Sequence, residues 1–506
     1  MEPRLDEAVT RNGQVSNRKV MEKPSPIRKI EEKSTNPELG APQIRKQNRH
    51  KSGSRTATNP ELGFISARKR AIFDRMDVKE FTGVDYSRRV IDREVENLIK
   101  TVPAIVIEGP RGCGKTMTGL NFARSAAFLD SPETELLAAT DLSLLTEGEN
   151  PRLLDEWQLY PALWNVVRRK IDFGGSYGSF ILTGSAVPND DVRRHSGAGR
   201  FIHLRQRTMT GFEKSLLREN RGEKSPDDGG EVSLRGLFAG EGVKADTSSS
   251  AITDVISQLL TPGFPNMVLM EPSARRRMLE GYIQDISEVD IQRLADVRHD
   301  PHSIRALLAS LSRHVSTSVS WETLRKDLRN VDVEISVKGV QRLIELLERM
   351  YVVESVPAMR TQLRSRAVLR KSSKFVLADP ALAAAALHAD EEALLADMET
   401  TGFLFESAVI HDLAVFAQAL EGNVGYYRDS NKHEIDCVIE LENGAWAAIE
   451  VKLGLNQIEY GAERLSLAVE QIDKNPPAFK AVVTGNGPIL QLKDGTFTFP
   501  LHALRP

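Results

Sequence analysis

The sequence predicts an α/β protein of several domains, and three stretches predict it. Ala104-Ile-Val-Ile-Glu108 is a short apolar strand that runs into a Gly-rich loop and then a helix start at Lys115-Thr116. Ser179-Phe-Ile-Leu-Thr-Gly-Ser185 is a second apolar run, ending in small polar residues where strands of open sheets meet ligands. Residues 426–452 alternate apolar and polar positions between turns, the pattern of a β-hairpin. At 506 residues the chain exceeds a single core, so two or three domains and a tail are expected.

Residues 1–66 are rich in Lys, Arg, Ser, Asn and Pro and poor in aromatics, the composition of a disordered tail. The hexapeptide Thr-Asn-Pro-Glu-Leu-Gly occurs there twice, at 35–40 and 58–63. Two short copies are too few for a solenoid and read as a docking motif or as duplication drift. A nucleotide domain is expected over 67–220, with an amphipathic helix ahead of the first strand.

Gly109-Pro110-Arg111-Gly112-Cys113-Gly114-Lys115-Thr116 has the spacing of a phosphate-binding loop. Its glycines let backbone N–H groups converge on phosphate oxygens, and the following helix adds the field of its positive end. Lys115 would reach the β/γ-phosphates, and the Thr116 hydroxyl would ligate Mg²⁺. The competing reading is a chance Gly-rich turn between a strand and a helix.

Hydrolysis needs a further acid and a water-activating group. In Pro151-Arg-Leu-Leu-Asp155-Glu156-Trp157-Gln158, two leucines set Asp155 at the end of a buried strand, where it can hold Mg²⁺ through water. Glu156 is then placed to orient and deprotonate the attacking water. An exposed Asp-Glu pair at a helix N-terminus is the alternative. Thr183 is the candidate sensor of water or γ-phosphate, against a plain strand-ending turn. The loop Arg193-Arg-His-Ser-Gly-Ala-Gly-Arg200 suits an arginine finger, in cis or to a neighbouring copy. Arg200 is the first choice and Arg194 the second; a solvated basic loop is the alternative.

Together the loop, Leu-Leu-Asp-Glu-Trp-Gln, Leu-Thr-Gly-Ser and His195-Ser-Gly-Ala-Gly-Arg200 resemble prokaryotic AAA-superfamily ATPases in which a C-terminal domain of unknown function follows the ATPase. Met209-Thr-Gly-Phe-Glu213 and Gly263-Phe-Pro265 extend the likeness, although Pro262 stands where the family usually has Gly. The resemblance implies ATP as the nucleotide, which the loop alone does not.

A polar gap over 221–250, with Pro226-Asp-Asp-Gly-Gly230 and Thr247-Ser-Ser-Ser250, reads as a flexible insert. Residues 251–300 read as a helical lid. Residues 301–360 hold three short amphipathic helices and a β stretch, the order of a winged helix-turn-helix, and the family resemblance points the same way. Lys338, Gln341 and Arg342 would begin its recognition helix, whose Glu345 and Glu348 would repel phosphate. Such modules also serve as protein-interaction units or spacers, so DNA is a candidate partner rather than an implied one.

Residues 361–506 carry the remaining chemistry. Period-two geometry sets Glu450 and Lys452 on one face of a strand, with Asp436 on the strand before it. The spacing Asp-x13-Glu-x-Lys resembles the metal site of restriction-endonuclease-like nucleases, with Glu434-Ile-Asp436 where many relatives carry Pro-Asp. That resemblance implies Mg²⁺ on Asp436 and Glu450, with Lys452 orienting water or offsetting phosphate charge. Glu406, from a preceding helix, would complete the acidic set. An exposed charged hairpin with a weak Glu–Lys pair is the alternative.

Composition bounds the rest. The formal net charge is −3, so any nucleic-acid surface must be local. Cys113 and Cys437 match no zinc spacing, which suits a reducing compartment. The start of the sequence has no apolar signal core, and no apolar run is long enough to span a bilayer. A cytoplasmic location without a membrane partner is expected, with a further copy of the chain as a candidate partner.

Overall fold

A computed structural model describes residues 78–187, 198–222, 230–248, 250–294, 299–359 and 374–506. The tail over 1–66 and Arg194 lie outside the described residues.

Helices α1 (Val78–Thr82) and α2 (Asp92–Ile99) precede strand β1 (Ala104–Glu108), the Gly-rich loop and α3 (Lys115–Phe122). Then come β2 (Ser125–Phe128), α4 (Pro132–Thr140), β3 (Arg152–Asp155), α5 (Leu163–Asp172), β4 (Phe180–Gly184), β5 (Phe201–Arg205) and α6 (Gly211–Asn220). The strands form one sheet in the order β2-β3-β4-β1-β5, with parallel pairing throughout. Because both faces are covered by helices, the strands read as unbroken apolar runs. Ile105, Ile107, Leu153 and Ile181 pack with Val95 and Leu120 on one side. Ala104, Val106, Leu154 and Leu182 pack with Leu163 and Val167 on the other.

The gap over 221–250 is not a flexible insert where it is described. Strand β6 (Val232–Ser233) pairs in parallel with β15 (Leu504–Arg505), and α7 (Leu234–Phe238) follows it. Val232, Leu234 and Leu237 are buried in the large core, and the Phe238 and Phe479 rings meet edge to face at 5.1 Å. The polar residues on either side hide this apolar triplet, whose partner strand is too distant in sequence to be read locally.

Helices α8 (Ile252–Leu259), α9 (Pro272–Asp285) and α10 (Ile291–Leu294) come next, with a π-helical turn at Ile286–Asp290. Helices α11 (Pro301–Arg313), α12 (Trp321–Arg329) and α13 (Val337–Arg349) then lead into a two-stranded antiparallel hairpin of β7 (Val353–Val356) and β8 (Lys374–Leu377). The sequence boundary at 361 is therefore misplaced. β8 takes its hydrogen bonds from β7 and belongs with the helices before it.

Helices α14 (Pro380–Ala386), α15 (Glu391–Ala396) and α16 (Met398–Gln418) precede β9 (Gly422–Arg428), β10 (Glu434–Leu441) and β11 (Trp446–Lys452). Helix α17 (Ile458–Val469), β12 (Phe479–Thr484), β13 (Leu490–Gln491) and β14 (Phe497–Pro500) complete a six-stranded sheet, ordered β13-β14-β12-β11-β10-β9. β9, β10 and β11 run antiparallel; β11, β12 and β14 run parallel. α16 covers one face through Ile439, Ala447 and Ile449, and α17 the other through Val438 and Ala448. The register of β10 slips between Ile435 and Val438, which sets Asp436 at a bulge. Among the described residues, no helix is long and apolar enough to cross a membrane.

Candidate functional site

The Gly-rich loop turns at the carboxyl end of β1, with Gly112 at φ 78° and Gly114 at φ 101°, conformations that side chains rarely adopt. A Cβ on Gly109 would lie 2.0 Å from the Gln206 carbonyl oxygen, so the loop can hug β5 only with glycine there. Lys115 opens α3 and donates to the Pro110 carbonyl at 2.9 Å. Cys113 is buried, with its sulfur 3.3 Å from the Gln206 carbonyl oxygen.

Asp155 ends β3 and is buried beside the loop. It accepts hydrogen bonds from the hydroxyls of Thr183 and Thr116. Burial pushes its carboxyl up to about 6, against the opposing effect of those two bonds. Thr183 is thus committed to Asp155, and it also receives the Glu156 N–H at 3.4 Å. The hydroxyl expected to sense phosphate instead holds the acid. Glu156 sits at φ 58° at the strand end, its carboxylate bonded by Gln158 and, at 2.8 Å, by the Ser185 hydroxyl.

Arg200 does not reach the loop of its own chain. β5 starts level with the amino end of β1, Phe201 opposite Ala104, whereas the loop leaves from the other end. There Arg200 pairs with Asp172 at 2.9 Å. The cis form of the arginine finger is therefore excluded for Arg200.

Sequence reasoning missed Arg89. Its guanidinium donates to the Cys113 carbonyl at 2.8 Å, to the Arg207 carbonyl at 2.9 Å and to Glu213 at 2.9 Å. Burial opposes charge on both partners, yet Glu213 lifts the Arg89 pKa and Arg89 depresses that of Glu213. Glu213 also closes the capping box of α6 with Thr210, and that Thr-x-x-Glu signal was legible within 209–213. No local pattern marks Arg89.

The helices over 251–294 pack on the loop. A Cβ on Gly112 would meet the Phe264 ring at 3.6 Å, and one on Gly114 would meet Pro265 at 3.4 Å. The Tyr282 hydroxyl donates to the Arg111 carbonyl at 3.1 Å, and Arg111 pairs with Asp290 at 3.3 Å. Gly263 is held between Met209 and Asp379, whose carboxylate accepts its N–H at 2.8 Å.

From the other side, the α13–β7 segment lies against the strand ends. Val187, just past β4, donates its N–H to the Arg349 carbonyl at 3.0 Å and accepts from the Arg349 guanidinium at 2.8 Å. Tyr351 hydrogen-bonds Glu108. Glu354 is paired with Arg207 at 2.5 Å and Arg205 at 3.2 Å. Burial alone would raise the Glu354 carboxyl, but the two guanidinium groups bring it down to about 2.

The C-terminal residues divide between two faces. Glu450 and Lys452 turn toward Gly461 of α17 and pair at 2.6 Å. Glu406 stands on α16 and pairs with Lys374 of β8 at 3.1 Å. Asp436 lies between them, accepting the Val451 N–H at 2.9 Å. Burial, then the neighbouring Asp436, pushes Glu406 up to about 8 and Glu450 to about 7. Among the described residues, no group of three His, Cys, Asp or Glu side chains is disposed to hold a metal ion. The expected set of Glu406, Asp436 and Glu450 is thus not gathered into a cage. Lys338 and Arg342 of α13 are exposed and Gln341 is half-buried, with Glu345 exposed on the same helix.

Residues 101–213 match the family model of an AAA domain. Residues 252–393 match a domain of unknown function (DUF8612), and residues 401–504 match another (DUF4143). The DUF8612 match includes β8 with the helices before it, as the pairing does. No curated protein sequence matches the chain. Among solved structures, the Walker-type ATPase PABY2304 of Pyrococcus abyssi is similar at 14% identity and TM-score 0.35, over 62% of this chain and 96% of that one. AMPPCP-bound DnaA from Aquifex aeolicus is similar at 13% and 0.26, over 54% and 91%. Drosophila ORC bound to DNA is similar at 11% and 0.19, over 56% and 89%. All three TM-scores are below 0.5, so these likenesses assign nothing further. The AAA match, the loop and the parallel sheet agree: the chain carries an AAA-type ATPase domain, which supports ATP binding and hydrolysis.

Proposed function

We propose that the protein is an ATPase whose cycle moves the helices of 251–359 and their hairpin against a C-terminal domain of restriction-endonuclease-like fold. The observation that carries this reading is Glu354 of the hairpin, ion-paired to Arg205 and Arg207 at the carboxyl end of the ATPase sheet. A change in the loop can pass from β5 to β7 through that contact.

The residues at the loop suit ATP with Mg²⁺. Thr116 and Asp155 are hydrogen-bonded neighbours and would hold the ion, which when bound offsets phosphate charge. The Gly112 and Gly114 conformations open the loop amides to phosphate, and Lys115 turns from Pro110 toward it. Glu156 exchanges its Ser185 and Gln158 partners for the attacking water, while Thr183 keeps Asp155 in place.

A winged-helix reading of 301–377 is supported by three helices followed by the β7–β8 hairpin, with exposed Lys338 and Arg342 as the DNA-facing residues. A nuclease-like reading of the C-terminal domain is supported by its order of helix, three antiparallel strands, helix and parallel strand, with Asp436, Glu450 and Lys452 at the strand ends. The second reading, an ATP-switched scaffold whose nuclease-like domain is inactive, is favoured by the division of the carboxylates between two faces. ATP turnover and Mg²⁺- or Mn²⁺-dependent cleavage of duplex and single-stranded DNA, with and without ATP, test the proposal. Cleavage lost in Asp436→Ala with Lys452→Ala supports the first reading. Turnover with DNA left intact under every condition supports the second.

A further inference from the structure

His411 and Asp412, neighbours on α16, reach from the C-terminal domain to the turn between β5 and α6. The His411 Nε2 lies 3.0 Å from the Thr208 hydroxyl, and its Nδ1 lies 2.8 Å from Asp412 Oδ1. The other Asp412 oxygen accepts the Gly211 N–H at 2.9 Å. A Cβ on Gly211 would lie 3.3 Å from that oxygen, so α16 and the start of α6 meet closely there. Thr208, His411 and Asp412 are all buried.

The turn that α16 grips also supports the phosphate-binding loop. The Gln206 side-chain amide donates to the Cys113 carbonyl at 3.3 Å, and Arg89 bridges that carbonyl to the carbonyl of Arg207. Thr210 and Glu213 close the cap of α6, and Glu213 holds Arg89. A shift of residues 208–211 therefore reaches the loop by two routes, through Gln206 and Arg207 and through Glu213 and Arg89.

The hydrogen bonds also count the protons on His411. The Thr208 hydroxyl gives its one proton to the Ala378 carbonyl at 3.1 Å, so Nε2 must donate to the hydroxyl. The Asp412 carboxylate is an acceptor and takes the Nδ1 proton. With hydrogen on both nitrogens the ring is an imidazolium, the partner that a buried carboxylate needs. His411 lines two cavities. Around one stand Lys214 and Arg218 of α6, Asp254 of α8, Asp379 and His502; around the other stand Arg205, Arg207 and Glu354. Glu354 takes the two arginines, and Asp379 spends its oxygens on the Gly263 and Ala381 N–H groups. Lys214 donates to the Gln258 and Thr261 carbonyls. His411 is the cation in contact with Asp412.

We propose that His411 and Asp412 are positioning residues of the ATP site. As an imidazolium–carboxylate pair they clamp residues 208–211, and with them the phosphate-binding loop, to the C-terminal domain. The inference rests on the ATPase reading. It makes the C-terminal domain a regulator of ATP affinity. A neutral ring leaves one of the bonds among Asp412, His411, Thr208 and Ala378 unmade, so the clamp weakens as pH rises.

Equilibrium ATP binding to the full chain from about pH 5.5 to 9 tests it, with wild type, His411→Gln and His411→Lys. ATP itself titrates, so each affinity is read as a ratio to that of His411→Gln at the same pH. Wild type should bind about 10-fold tighter at the acid end, the scale of one charged hydrogen bond, and lose that advantage at the alkaline end. His411→Lys keeps a charge and its donors, so it should retain the advantage where wild type has lost it. If His411→Gln fails to fold, Thr208→Ser against Thr208→Val replaces the ratio, and the serine variant should lead at low pH only. A ratio near one at every pH, with ATP still bound, overturns the clamp and leaves the ATPase reading standing. A ratio that stays above one without changing with pH overturns the imidazolium form of the clamp. Folded wild type that binds no ATP overturns the ATPase reading itself.

Discussion

Arg89 and Glu213, 124 positions apart, form a buried ion pair at 2.9 Å whose guanidinium also holds the carbonyl of Cys113 in the phosphate-binding loop. The pair ties the segment before α2, the loop and the start of α6 into one unit. Arg89→Met would leave Glu213 buried and unpaired, at a cost of about 3–5 kcal/mol. Denaturant unfolding reads this directly, and ATP affinity should fall with it. The double change Arg89→Met with Glu213→Leu should cost less than Arg89→Met alone.

Lys115→Ala should abolish ATP binding in an equilibrium assay. Glu156→Gln should keep binding and slow turnover by about 10²–10⁴-fold, the range for loss of a general base. Ser185→Ala, which removes only a partner of Glu156, should change turnover less than Glu156→Gln does. A Glu156→Gln variant that turns over at the wild-type rate would remove Glu156 from the chemistry.

Glu354 makes hairpin docking sensitive to acid. Its folded value of about 2 lies below the unfolded value of about 4.3, so its contribution is present above the unfolded value and disappears as pH falls through the folded one. The contribution is at most about 3 kcal/mol at neutral pH, reduced by solvent at its 28% exposed side chain. Acid unfolding between about pH 4.3 and 2 should therefore be steeper in wild type than in Glu354→Gln. Superimposed profiles would show that the ion pair contributes nothing.

Leu234 is fully buried in the segment that its neighbours make look like a linker. Leu234→Ala should cost about 2–5 kcal/mol, as for other core leucines. A cost below about 0.5 kcal/mol, the surface range, would mean that the segment does not hold in solution.

Arg200→Ala should leave turnover unchanged at protein concentrations where single chains dominate, because Arg200 sits at the wrong end of β5 for its own loop. If a neighbouring copy receives it, turnover should rise with concentration in wild type and stay flat in Arg200→Ala.

The nucleotide site was legible because its signals are local. Glycines at fixed offsets, a strand before them and two leucines before Asp155 each act within a few residues of the chemistry. Thr183 stands at the end of β4, and sequence marks such a polar strand end without saying which neighbour takes its hydroxyl, here Asp155. Arg89 was missed because its partners Cys113, Arg207 and Glu213 lie far along the chain, and the amphipathic pattern around it does not say which of its charged residues is buried. Lys374 was missed for the same reason, and its strand was placed in the wrong module. Strand pairing is a long-range choice, and β8 is equally strand-like beside either neighbour. The carboxylate separation was also beyond reach, because alternation orders residues on one strand but does not say on which face α16 packs.

The pairing of β6 with β15 sets a schedule for synthesis. Arg505 meets Glu231 across 274 positions, so the segment after the ATPase domain is made long before its partner strand. At about 5–20 residues per second, the wait is on the order of 15–55 s. During that interval Val232, Leu234 and Leu237 have no β15 beside them, and a nascent chain at this stage offers a ready handhold to a chaperone.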